Sequence, residues 1–153
     1  MKLKVGDPAP MINAKDQHGK AVNLADFKGS KVILYFYPKD DTPGCTAEAC
    51  NLRDNYDDLL DKGFKIIGVS ADSAESHSKF TEKYRLPFPL IPDTEKKVIQ
   101  DYGVWGPKKF MGKSYDGIVR TTFIISEDGK IGQIITDVKT KDHSDQIFKI
   151  MGL

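Results

Sequence analysis

Val32-Ile33-Leu34-Tyr35-Phe36-Tyr37-Pro38-Lys39-Asp40-Asp41-Thr42-Pro43-Gly44-Cys45-Thr46-Ala47-Glu48-Ala49-Cys50 decides the fold. Val32–Tyr37 is apolar on both faces, the pattern of a central parallel strand. Pro38 ends it, and Asp40-Asp41-Thr42-Pro43-Gly44 makes a turn. Ala49, Leu52, Tyr56, Leu59 and Leu60 then recur at helical spacing, predicting a helix from about Thr42 to Lys62, closed by Gly63. Lys65–Ser70 is a second apolar strand. Strand, helix and strand in this order imply a right-handed crossover and a parallel pair. The turn then lies at the carboxyl end of the first strand, where open α/β sheets place their sites.

Thr42 is suited to the N-cap and Pro43 to the first helical position. Cys45 therefore falls in the first turn, where unpaired N–H groups and the helix dipole favour a thiolate, the nucleophilic form of cysteine. The plain alternative is an inert buried thiol. Cys50 follows five residues later. On a regular helix the two Cα atoms stand about 8.7 Å apart, beyond the ~7 Å that a disulfide spans. A bond between them requires the helix start to unwind, which Gly44 makes easier. Cys50 otherwise reads as a small core residue, Pro38 as a strand terminator and Glu48 as a surface acid favoured by the helix dipole.

Working outward, Val5-Gly6-Asp7-Pro8-Ala9-Pro10 is an extended lead-in. Met11–Ala14 and Ala21–Leu24 are strand candidates around Asp16-Gln17-His18-Gly19, followed by one helical turn at Ala25–Gly29. Downstream, a helix is predicted over Ser73–Tyr84, an extended segment over Leu86–Pro92 and a short helix from Asp93 to Tyr102. Gly103–Gly117 reads as a surface loop over part of the site, with its lysines solvated. Arg120–Ser126 and Ile131–Ile135 form a hairpin around Asp128-Gly129, and a last helix runs from about Ser144 to Met151. Arg120, ahead of an apolar strand, reads by itself as a solvated edge residue. The pattern is α/β with mixed strand directions in one domain, residues 1–153.

The bulk numbers exclude several classes. With 153 residues, 39% hydrophobic, 29% charged and net charge +1, the chain is an ordinary globular one with no bias toward nucleic acid or anionic membrane. No apolar run approaches the ~18 residues of a spanning helix. Met1–Gly6 lacks the apolar core of a signal peptide, so a cytoplasmic location is expected. Two cysteines in a reducing compartment suit redox chemistry better than stapling. His18, His77 and His143 are scattered without metal-ligand spacing and read as surface residues. No phosphate, flavin or nicotinamide fingerprint is present, so no metal or cofactor is expected.

Pro38-x-x-x-Thr42-x-x-Cys45 resembles the active-site motif of the peroxiredoxins. Thr42-Pro43-Gly44-Cys45-Thr46-x-Glu48-x-Cys50 is similar to the bacterioferritin comigratory protein (PrxQ) subfamily. Tyr102–Gly106, Lys109–Gly112 and Arg120-Thr121-Thr122-Phe123 support the same likeness, while Leu52 departs from it where an aromatic is frequent. The resemblance implies a thioredoxin-like fold, with a central mixed β-sheet flanked by helices and an N-terminal β-hairpin extension. It implies a thiol peroxidase acting on hydrogen peroxide and organic hydroperoxides. Cys45 would be the peroxidatic nucleophile and Cys50 the resolving thiol, joined in an intramolecular disulfide that thioredoxin, or glutaredoxin, reduces. Thr42 and Arg120 would touch the reacting atoms, Pro38 would shield the sulfur, Gly44 would meet the peroxide, and Glu48 would orient Arg120. A monomer is implied by analogy. The rival readings are a dithiol–disulfide oxidoreductase, disfavoured by the Cys-x4-Cys spacing, and a redox-responsive binding protein.

Overall fold

The computed structural model describes residues 3–153, so the Met1–Lys2 start of the segment read for a signal peptide lies outside the described residues. Its centre is a five-stranded sheet in the order β5-β4-β3-β8-β9. The strands are β3 (Lys31–Phe36), β4 (Phe64–Ser70), β5 (Leu90–Pro92), β8 (Thr121–Ile125) and β9 (Ile131–Ile135). β3, β4 and β5 are parallel, and β8 and β9 complete the sheet antiparallel. The expected N-terminal hairpin is present as β1 (Asn13–Lys15) and β2 (Ala21–Asn23).

Alternation along the strands sorts the core into two layers. Ile33, Tyr35 and Tyr37 pack with Cys45, Ala49 and Leu52 of α1 (Pro43–Asp54), Leu59 of α2 (Tyr56–Asp61), Phe80 of α3 (Ala74–Tyr84) and Ile147 of α5 (His143–Met151). Val32, Leu34 and Phe36 face the other way, toward Val22 and the residues Val98, Ile99 and Tyr102 in and after α4 (Lys97–Asp101). Helices thus cover both faces of a sheet whose middle strand is fully apolar. That is the mixed α/β architecture the sequence implied.

Three expectations are corrected. The single helix over Thr42–Lys62 is two, α1 and α2, broken at Asn55 (φ −108°, ψ 16°). There the Asn55 side chain donates to the Asn51 carbonyl at 2.9 Å, a local bond that competes with regular helix. The Leu86–Pro92 segment is extended as expected, and it also supplies a strand of the main sheet, β5, paired with β4 from Gly68↔Leu90 to Ser70↔Pro92. The loop expected over Gly103–Gly117 is a β-hairpin, β6 (Trp105–Phe110) and β7 (Lys113–Ile118). Met111 (φ 52°) and Gly112 (φ 79°) turn it with two left-handed residues, the geometry that matches strand twist. Lys108 is not solvated there: it is half-buried, donates to the Ile118 carbonyl at 2.8 Å, and its amine is pushed down by burial and by nearby Arg120.

Candidate active site

β3 delivers the chain to the carboxyl edge of the sheet at Tyr37, and the loop Pro38–Thr42 turns it into α1. Asp41 takes a left-handed conformation (φ 57°), which costs a residue with a side chain about 1–2 kcal/mol. Its carboxylate accepts bonds from Lys83 Nζ and Tyr84 Oη, both at 2.8 Å, tying the turn to α3. Thr42 occupies the N-cap position in extended backbone (φ −101°, ψ 156°), but its hydroxyl does not cap the helix. It donates instead to the Lys39 carbonyl at 2.9 Å, so the side-chain cap expected of Thr42 is absent.

Cys45 lies two residues into α1 and is 1% exposed. Arg120 reaches it from across the sheet. The β3–β8 register pairs Phe36 with Thr121, which sets Tyr37 and Arg120 side by side at the same edge. Arg120 Nη2 donates to Cys45 Sγ at 3.3 Å, and Nη1 donates to Glu48 Oε1 at 2.7 Å. Arg120 is therefore not the solvated edge residue its position alone suggested. A Cβ on Gly44 would stand 3.1 Å from Arg120 Nη2, so the glycine leaves room for the guanidinium.

Glu48 is fully buried, not a surface acid. Burial pushes its carboxyl up to about 7, against the downward pull of Arg120. Only one oxygen is satisfied: Oε2 has no hydrogen-bond partner and lies 3.6 Å from His143 Nε2. His143 is also fully buried, contrary to the surface reading. Its Nδ1 meets Gln146 Oε1 at 2.9 Å and its Nε2 meets the Thr122 hydroxyl at 2.8 Å. The Gln146 amide donates to the Asp137 carbonyl, leaving Oε1 as the acceptor. Nδ1 thus carries the proton, and the Thr122 hydroxyl donates to Nε2. Burial lowers His143 to about 4, so the ring is neutral near pH 7.

Cys50 is a half-buried free thiol on the same helix as Cys45, which is also free. Burial raises its pKa, with Arg53 pulling down and Asp54 adding to the rise. Next to it, Asn51 clips α1 to the start of α5 and the loop before it: its Nδ2 donates to the Lys141 carbonyl at 2.9 Å, and Ser144 N–H donates to its Oδ1 at 2.8 Å. Pro38 is half-buried between Tyr37 and the loop. One edge of the sheet thus gathers Pro38, Thr42, Gly44, Cys45, Glu48 and Arg120. His77 also departs from its surface reading, being fully buried against the loop; of the three histidines only His18 is exposed. A separate apolar cleft of about 210 Å³, lined by Ala9, Leu24, Val32 and Ile125, opens where β3 begins, at the opposite end from Cys45.

A buried cysteine at a helix start, with an arginine bonded to its sulfur, on a mixed sheet between helices, is the arrangement of a thiol-based enzyme. The AhpC/TSA family matches residues 5–134, and the chain belongs to that family: it is a peroxiredoxin, a thiol peroxidase. It is 50% identical over 145 residues to Peroxiredoxin Bcp of Escherichia coli, covering 95% of this chain and 93% of that one. It is 48% identical over 143 residues to Peroxiredoxin Bcp of Bacillus subtilis, covering 94% and 91%. Among solved structures, Peroxiredoxin Q of Xanthomonas campestris superposes with a TM-score of 0.85 at 33% identity, over 92% of this chain and 90% of that one. BcpB of Mycobacterium tuberculosis superposes with the same TM-score at 31% identity, over 98% and 97%. These likenesses confirm the thioredoxin fold. Among the described residues no helix is long and apolar enough to cross a membrane.

Proposed function

We propose that Cys45 is the peroxidatic nucleophile and Cys50 the resolving thiol of a thioredoxin-recycled peroxidase. The supporting observation is the 3.3 Å contact between Arg120 Nη2 and Cys45 Sγ. A guanidinium is permanently charged, so its bond to a sulfur anion is charge-assisted. The Cys45 thiolate attacks one peroxide oxygen. The O–O bond breaks, sulfur becomes sulfenic acid, and the second oxygen leaves as water or alcohol after taking back from solvent the proton that the thiol released on ionising. Arg120 and the free N–H groups of Gly44 and Cys45 meet the charge that develops on the oxygens. The Thr42 hydroxyl turns from Lys39 to the peroxide, Pro38 keeps water from the sulfur, and Glu48 holds Arg120 in line.

The first turns of α1 then unwind. Cys50 attacks the sulfenic sulfur, releasing water and forming the Cys45–Cys50 disulfide. A dithiol reductant, thioredoxin in this reading, exchanges with that disulfide and restores both thiols. Hydrogen peroxide and organic hydroperoxides are the substrates, and the protein acts as a cytoplasmic monomer because resolution needs no second subunit.

Stopped-flow oxidation of the reduced protein by hydrogen peroxide tests this. Wild type reacts fast, Cys45→Ser is dead, and Cys50→Ser stalls at sulfenic acid. A Cys45→Ser variant as fast as wild type overturns the assignment. Peroxide consumption that does not depend on added thioredoxin and its reductase removes the recycling step.

A further inference from the structure

Five residues before Cys45, the Asp40 carboxylate is buried beneath the loop that launches α1. Its acceptor positions are filled by protein donors from two other elements. Oδ1 accepts the Tyr37 hydroxyl at 2.6 Å. Oδ2 accepts the Ser76 hydroxyl and His77 Nδ1, each at 2.7 Å. Asp40 N–H donates to Asp72 Oδ2 at 2.8 Å, and the same oxygen takes the Ser70 hydroxyl at 2.7 Å. His77, on α3, is fully buried, and its Nε2 faces the Ile91 carbonyl of β5 at 3.1 Å. Both ring nitrogens therefore face acceptors, so the ring is gripped from both sides. The Tyr37 hydroxyl, 3.4 Å from Nδ1, has already committed its proton to Asp40.

We propose that Asp40 and His77 form a buried lock that positions the Pro38–Thr42 loop, and through it Cys45, for attack on peroxide. The inference rests on Cys45 being the reacting thiol. Both are positioning residues: no hydrogen bond joins either to Cys45, and they act through the loop. A buried polar contact of this kind is weak evidence for net stability, because desolvation offsets the attraction; what it fixes is geometry. That matters here because the next residue, Asp41, is left-handed and would relax if the loop came free. The lock joins the reactive edge to α3 and β5, neither of which carries a residue of the proposed reaction.

The lock predicts a loss specific to peroxide. General reactivity of the sulfur depends on its ionisation, whereas peroxide also needs the loop groups Pro38 and Thr42 in place. The test uses the Cys50→Ser background, so that Cys45 is the only thiol, and compares oxidation by hydrogen peroxide with alkylation by iodoacetamide. Asp40→Ala and His77→Ala are expected to slow oxidation about tenfold or more, the scale of a misplaced reactive group, and alkylation less than about twofold. The double Ala variant is expected to be no slower than the worse single one, since each breaks the same lock.

Asp40→Asn is the conservative rescue. Its amide keeps the side chain's shape and can still pair with His77 Nδ1 while Nε2 reaches Ile91, so the geometry survives, and oxidation stays within about threefold of the parent. An Asp40→Ala variant as fast as the parent, a parallel loss of alkylation, or an Asn variant as slow as Ala overturns the lock. If Asp40→Ala does not fold, Tyr37→Phe and Ser76→Ala carry the test by deleting one bond each. A drop of about threefold in oxidation alone supports the lock, on the scale of one neutral hydrogen bond, and no drop overturns it. If the parent reacts with peroxide no faster than a free thiol, the assignment of Cys45 fails and the lock with it. A fast parent with a fast Asp40→Ala sinks the lock alone.

Discussion

Glu48→Gln removes a buried charge while keeping the side chain's shape and an oxygen to accept from Arg120. In the wild type, burial raises the carboxyl from 4.5 to about 7. The folded protein therefore binds more protons than the unfolded chain between those values. This contribution to stability is fully present below pH 4.5 and is lost as pH rises through 7. A rise of that size corresponds to about 3 kcal/mol at ~1.36 kcal/mol per unit. His143 acts in the opposite sense: burial lowers it from 6.5 to about 4, so its contribution is lost as pH falls below 6.5. Both proteins keep His143, and it cancels in the difference. Urea unfolding of the two proteins, followed from about pH 4 to pH 8, isolates Glu48. The stability of Glu48→Gln relative to wild type is expected to climb by about 3 kcal/mol over that range. At a slope of ~2 kcal/mol per molar urea, the midpoint difference moves by about 1.5 M. A flat difference would mean that Glu48 is ionised throughout and that Arg120 outweighs burial, refuting the reasoning.

Arg120→Lys is expected to slow the reaction with hydrogen peroxide by about 10- to 100-fold, because one ammonium cannot hold both Glu48 and Cys45 and a charge-assisted bond contributes about 1.5–3 kcal/mol; a loss below threefold in stopped flow would count against the role. Asn51→Ala removes two bonds from α1, one to α5 and one to the loop before it, easing the opening of α1 by about 2 kcal/mol. Disulfide formation should then outpace overoxidation, and mass spectrometry should find less sulfinic Cys45 under excess peroxide; an unchanged sulfinic fraction would exclude the clip as a control on resolution. Gly68→Ala places a Cβ 2.6 Å from Leu90 Cδ2 and 2.9 Å from Tyr35 Cζ, so overpacking should cost about 1–3 kcal/mol in urea unfolding.

Local pattern made part of this architecture legible. The apolar run Val32–Tyr37 and the stripe Ala49, Leu52, Leu59 are periodic, and they announced the strand and helix that frame Cys45. Arg120 was visible only through its resemblance to a motif. Its place beside the sulfur depends on the pairing of β3 with β8, which no spacing along the chain encodes. The β6–β7 hairpin was hidden by Gly106, Pro107 and three lysines, which mimic a loop. β5 was legible as an extended segment, and its prolines hid only its pairing in the main sheet. His77 and His143 were misread because imidazole counts as polar. Yet His77 lies three residues before Phe80 and seven before Tyr84, on the same face of α3, and that spacing was a usable signal for burial. Glu48 gave no such signal, since an acid in a first helical turn ordinarily faces solvent.

The separation of 75 residues between Cys45 and Arg120 has a consequence during synthesis. At roughly 5–20 residues per second, a ribosome needs about 4–15 s to make the intervening chain. Throughout that interval the nascent polypeptide carries its thiol without its cation, and β3 lacks one of its two neighbours. The thiol is armed only when the second half of the sheet arrives, so an unfinished or truncated chain has no Arg120 to engage the sulfur.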